Sequence, residues 1–159
     1  MPLMSSVNDD YNRFARSFFG DQHPLFSTFG IEIVRVASRK AAMRMPFSLR
    51  LADKRSALHR GALVTLLDTT CGLAIFSALE SLQPIATIDL RVDFLREIPP
   101  HAGLVADVEC VGRTQRIAYI MGKAYAQDCD EPIALVAGSF AIDTMGPSFH
   151  PFTAERKSA

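Results

Sequence analysis

HRGALVTLLDTTCGLAIFSAL, running from His59 to Leu79, is the stretch whose reading decides the fold. Between Arg60 and Glu80 it holds one charged residue, Asp68, and no proline. A surface helix shows a polar stripe at a period of 3.6 residues, whereas this segment is apolar almost all round, which predicts a helix buried on every side. Its length approaches that of a membrane span, but an unpaired charge at the centre of a span is costly. The small residues Gly61, Thr65, Thr69, Thr70 and Gly72 suit close packing inside a protein instead. At 1.5 Å per residue the helix is about 30 Å long, enough to thread a small domain.

The flanks read as strands. Residues 29–44 alternate well enough for two, with Ile31, Ile33 and Arg35 on one face, Glu32, Val34 and Val36 on the other, and a turn at Ser38 to Lys40. A charged link, SLRLADKRSAL, leads into the helix; its Arg50, Lys54 and Arg55 read as solvated, or as partners for a ligand phosphate. After Pro84, Ile88, Leu90, Val92 and Phe94 alternate with Asp89, Arg91 and Asp93, the pattern of a half-buried strand closed by Pro99 and Pro100. LVADVECVGRTQRIAYIMGKAYAQ predicts two strands joined near Gly112 to Gln115, and IALVAGSFAID a last one. Upstream, residues 8–19 are expected to form a short amphipathic helix ending at a break from Gly20 to Pro24, with His23 expected in a loop. The expected division is 1–28 as N-terminal helix and lead-in, 29–145 as the folded domain, and 146–159 as a flexible tail in which His150 is incidental.

Strands do not alternate with crossover helices, so a doubly wound parallel sheet is not expected. The class predicted is α+β, with an antiparallel sheet wrapped around one long helix. Such a sheet leaves edge strands open, and two edges paired across a two-fold axis would cover them, so a dimer is expected.

The chain has 159 residues and a formal net charge of zero, which suits one domain and argues against nucleic acid or an anionic membrane surface as a partner. Cys71, Cys110 and Cys129 are odd in number and widely spaced, fitting neither a zinc pattern nor a disulfide framework. The N-terminus lacks the basic start and apolar core of a signal peptide, and a cytoplasmic location is expected. No phosphate loop, dinucleotide fingerprint, nucleophile elbow or metal-spaced histidine pair occurs, so neither metal nor cofactor is expected.

Asp68 is the first candidate for chemistry. A carboxylate in an apolar helix is either bonded to backbone or to an arginine such as Arg91, or it is poised as a base. Gly61, Thr65 and Gly72 lie near it at helical spacing, a strip where a thin ligand or another backbone can approach. His59 stands at the helix start, where free N–H groups favour an anion or a developing oxyanion; a helix start is also an ordinary place for a polar residue. Nine residues separate the two, about 13 Å along the helix. They cannot share a small site within one chain, but one chain's helix start could meet the other chain's Asp68.

LHRGALVTLLDTTCGLA, followed by ATIDLRVDFLREIPP, resembles the hotdog-fold acyl-CoA thioesterases of the PaaI-like, phenylacetyl-CoA group, over roughly Gly30 to Ile142. The resemblance implies dimers with a continuous sheet, often paired into tetramers. It implies that Asp68 activates water or attacks the thioester, that the Arg60 backbone N–H polarises the thioester oxygen, that His59 shapes that corner, and that the Thr87 hydroxyl positions water or acid. Such chemistry needs a base or nucleophile on one side and donors aimed at the oxyanion on the other. Two departures stand out. The family carries glycine at the position of Arg60 and commonly asparagine at that of Asp53, and pairing of Asp53 with Arg60 would accommodate both changes.

The function expected is hydrolysis of an acyl-CoA to free acid and CoA. Asp53, Gly61, Thr65, Gly72 and Arg113 are the substrate-binding candidates, and Arg113 and Arg116 could meet CoA phosphates. A non-catalytic hotdog module binding an acyl-CoA or small acyl ligand is the alternative. A hotdog dehydratase or hydratase fits less well, because its histidine-proline-glycine and Asp…His patterns are missing.

Overall fold

The computed structural model describes residues 24–81 and 83–145. The helix expected over 8–19, His23, and the tail from Gly146 with His150 lie outside the described residues. In chain order the elements are α1 (Pro24–Phe29), β1 (Glu32–Ala37), β2 (Lys40–Met45), a 3₁₀ turn (Leu49–Leu51), α2 (Arg60–Phe76), β3 (Ile85–Phe94), β4 (Leu104–Arg113), β5 (Ile117–Ala126) and β6 (Pro132–Ile142). The six strands form one sheet in the order β1-β2-β4-β5-β6-β3, antiparallel throughout. Helix α2 lies across one face, packed chiefly on β4 and β2. This is the hotdog arrangement that the resemblance implied. Among the described residues no helix is long and apolar enough to cross a membrane.

Local chemistry sets the ends of the elements. His59 caps α2: its backbone is extended (φ −63°, ψ 142°), and its Nδ1 accepts the Gly61 N–H at 3.0 Å. At the far end Ser77 Oγ donates to the Ala74 carbonyl at 2.8 Å, and the Ser77 N–H to that of Leu73. Gly30 joins α1 to β1 with φ +65°, and a Cβ there would press on Pro46 at 3.1 Å. The core is the interface of α2 with the sheet. Leu63, Leu66, Leu67, Leu73 and Ile75 are sealed from solvent together with Met43, Met45, Leu104, Val108 and Ile120.

Three expectations need correction. Helix α2 is not buried on every side: Gly61 is exposed, and Val64, Thr65, Asp68 and Thr69 are half-buried, so one stripe at helical spacing stays open. The alternation read into β1 fails at a bulge between Ile33 and Arg35, which shifts the phase; Ile31 and Val36 both face the core, whereas Val34 is 56% exposed. In β3 a second bulge, between Thr87 and Asp89, turns Ile88 out to 57% exposure while Leu90 and Val92 stay against the core. Helix α1, within the expected lead-in, is only six residues long, with Pro24 at its first position and Gly30 just past its end.

Candidate functional site

Two clefts flank α2 and share no residue. The first, about 350 Å³, lies at the helix start and is lined by Asp53, Arg55, Leu58, His59, Arg60 and Ile98. Three of the first four N–H groups of α2 are occupied here: that of Gly61 by His59 Nδ1, and those of Ala62 and Leu63 by the His59 carbonyl. The Arg60 N–H has no acceptor among the described residues, so a donor at the positive end of a 17-residue helix stands free. Because Nδ1 accepts a hydrogen bond, the ring proton of a neutral His59 sits on Nε2.

The residues at the two departures do not pair with each other. Asp53 is satisfied by Arg55: Oδ1 accepts the Arg55 N–H at 2.8 Å and the Ala57 N–H at 3.2 Å, and Oδ2 accepts the Arg55 guanidinium at 2.9 Å. The Arg55 N–H, and after it the Arg55 side chain, hold the Asp53 carboxyl below the usual carboxylate range. Arg55 also reaches Glu97 at 2.8 Å. The Arg60 guanidinium instead lies over the Phe94 ring, 4.7 Å from its centroid, a cation–π contact at the end of β3.

The second cleft, about 310 Å³, centres on Asp68. Oδ1 accepts the Thr87 hydroxyl at 3.0 Å, so β3 orients the carboxylate. Arg91, offered as a partner from the sequence, pairs with Asp93 at 3.1 Å instead, and Asp68 has no ion pair among the described residues. Thr69, Gly72, Ile85 and three phenylalanines, Phe26, Phe76 and Phe140, complete the walls with Leu25. Cys71, one turn further round, is sealed in the core; burial first, and then the Asp68 charge, push its thiol well up.

Asp68 and Thr87 thus meet directly, and His59, Arg60 and Asp53 gather at the other cleft, with Gly61 behind the His59 ring. Gly61 gives the His59 ring room, since a Cβ would come within 3.1 Å of Nδ1. Thr65 donates its hydroxyl to the Gly61 carbonyl at 3.0 Å. Arg113 stands apart, 3.8 Å from Glu80 beyond the C-terminal end of α2. Sequence reasoning missed Arg55 as the partner of Asp53, Phe94 as the seat of Arg60, and the α1 wall of the Asp68 cleft. The Asp-x-Arg spacing could have signalled the first; the other two arise from tertiary packing. Among the described residues no group of three or more His, Cys, Asp or Glu side chains could hold a metal ion.

The sheet thus carries a long helix with an oriented carboxylate halfway along it and a free N–H donor at its start. The thioesterase superfamily description matches residues 56–133. A Halobacterium salinarum protein named as an esterase is 34% identical over 132 residues, spanning 77% of this chain and 86% of that one. The chain belongs to the thioesterase superfamily. A thioesterase family protein of Silicibacter pomeroyi matches at 25% identity and a TM-score of 0.76, over 83% of this chain and 97% of that one. The E. coli PaaI protein from the phenylacetic acid degradation operon shares the fold at 18% identity and a TM-score of 0.75, over 86% of this chain and 95% of that one. Membership in this superfamily and the names of these relatives support hydrolysis of a thioester or an ester.

Proposed function

We propose that this protein is a cytoplasmic acyl-CoA thioesterase that works as a homodimer, each site built from the Asp68 cleft of one protomer and the His59 corner of its partner. The observation that carries this reading is the half-buried Asp68 carboxylate, held by Thr87 in the wall of a cleft with no cation to neutralise it among the described residues. The acyl group lies in the Asp68 cleft with its thioester carbonyl toward the partner's Arg60 N–H. Asp68 takes a proton from water, and the hydroxide adds to the carbonyl carbon. The oxyanion that forms is stabilised by the free N–H and the helix end. The intermediate collapses by breaking the C–S bond; the CoA thiolate leaves and gains a proton, and the acid is released. Direct attack by Asp68 on the carbonyl, through an anhydride that water then opens, uses the same geometry.

The test is thiol release from a panel of short, aromatic and long acyl-CoA substrates, run beside Asp68→Asn. Loss of general-base help lowers kcat by about 10²–10⁴-fold, with the circular dichroism spectrum and the oligomeric state retained. An undiminished rate in the variant removes Asp68 from the mechanism. Binding of acyl-CoA without release of thiol by the wild-type protein would instead support the non-catalytic acyl-binding module.

A further inference from the structure

The glycines of α2 and of the sheet have visible reasons, with two exceptions, Gly112 beside the bulge of β4 and Gly72 in α2. Gly61 leaves space for the His59 ring, while Gly122 and Gly138 stand where a Cβ would strike the backbone carbonyls of Asp107 and Asp89. Gly72 has no such reason. It lies inside α2 without a positive φ, and among the described residues a Cβ built there would meet Ile85 Cδ1 alone, at 3.7 Å, an ordinary van der Waals contact. Glycine inside a helix is less favourable than alanine, because it surrenders more backbone freedom on folding. Position 72 therefore gives up helix stability for no packing gain among the described residues.

What the missing methyl leaves is space, and that space opens into the Asp68 cleft. Gly72 is one turn beyond Asp68 on the same helix face and is part of the cleft wall, with Leu25 of α1 also lining the cavity. We infer that Gly72 determines which acyl groups the site accepts, by holding open the part of the cleft that receives the carbon chain next to the thioester. This rests on the acyl-CoA reading above. The cleft volume of about 310 Å³ is roughly twice that of an engineered apolar cavity that takes up benzene. The class of acyl group is therefore compact and apolar, a ring with a carbon or two or a chain of similar bulk, set against Phe26, Phe76 and Phe140.

Gly72→Ala and Leu25→Ala test this on the full chain, with butanoyl-CoA and phenylacetyl-CoA as the small and bulky substrates. Gly72→Ala raises Tm by a few degrees and shifts the butanoyl-to-phenylacetyl ratio of kcat/KM at least tenfold toward the smaller group, as a misplaced methyl in an apolar pocket does. Leu25→Ala widens the cleft and moves the same ratio the other way. A ratio unmoved by Gly72→Ala overturns the inference; if dimer dissociation changes in its place, the space serves a second copy of the chain. Should the wild-type protein release no thiol at all, it is the hydrolase reading that fails. Calorimetric binding of non-hydrolysable butyl and phenethyl thioethers of CoA then reads the same size preference, and its absence there overturns the role of Gly72.

Discussion

Asp53 shows how one residue holds a corner of the site through the turn it organises. Its carboxylate organises the turn that delivers His59: Oδ1 gathers the N–H groups of Arg55 and Ala57, and the Asp53 N–H donates to the Ala57 carbonyl at 2.7 Å. The His59 N–H in turn donates to Leu51 at 2.8 Å, which sets the start of α2. An aspartate is tolerated here because Arg55 neutralises it, and so the charge need not be met by Arg60. Since the Asp53 carboxyl is held below its ordinary value of 3.8, its contribution to stability is fully present above pH 3.8 and is lost as pH falls through the lower folded value. Asp53→Asn keeps an acceptor for the two N–H groups but loses the charge on Arg55, whereas Asp53→Ala loses both. The expected order of Tm at pH 7 is wild type, Asn, Ala, with the gap between wild type and Asn small because the pair is partly exposed. Calorimetry from pH 7 down to about pH 3 reads that gap, which closes toward the acid end. A gap that persists there assigns the stabilisation to something other than the Arg55 pair.

At the scale of elements, the contact that matters is between α2 and β3, where Thr87 fixes Asp68. Thr87→Val keeps the shape of the side chain and removes the donor. A hydrogen bond to a charged group is worth roughly 1.5–3 kcal/mol, so kcat falls at least about tenfold if that bond orients the catalytic carboxylate. A purely structural role would lower Tm and leave kcat in place, so the two readouts separate the cases. Much at this scale was legible in the sequence. The all-apolar run with one acid marked α2, and the alternation at Leu90 and Val92 marked the inward face of β3. What escaped has a physical cause. A bulge inserts one residue without disturbing the hydropathy pattern on either side, so the outward turn of Val34 and Ile88 cannot be seen before the strands are paired. Helix α1 is too short to show a period, yet it supplies the Leu25 and Phe26 wall. The open stripe on α2 was masked because Asp68 is its one charged member and the rest are glycine, threonine and valine, which also suit a buried face.

The whole molecule explains why the two clefts stand apart. Strand β3 is an edge of the sheet, and it carries Thr87, bonded to Asp68, near one end and Phe94, beneath Arg60, at the other. The seven residue-to-residue steps from Thr87 to Phe94 span about 23 Å. If two copies pair antiparallel along this edge about a two-fold axis, the Thr87 end of each strand meets the Phe94 end of the other, and each Asp68 cleft gains a helix start from its partner. A pair of variants tests the arrangement. Arg60 is the first helical residue of α2, its N–H has no acceptor among the described residues, and His59 before it is already extended. Proline suits that position, so Arg60→Pro keeps the helix while removing the proposed oxyanion donor together with the guanidinium. Its kcat falls by about 10²–10³-fold, and Arg60→Ala, which retains the N–H, separates that loss from the loss of the contact with Phe94. In mixed dimers of Asp68→Asn with Arg60→Pro, a site shared between protomers leaves one of the two sites intact. Random mixing then restores about one quarter of the wild-type rate from two nearly inactive proteins. A site confined to one chain is damaged in every protomer of the mixture, and no recovery after co-refolding would place both halves of the chemistry within a single copy.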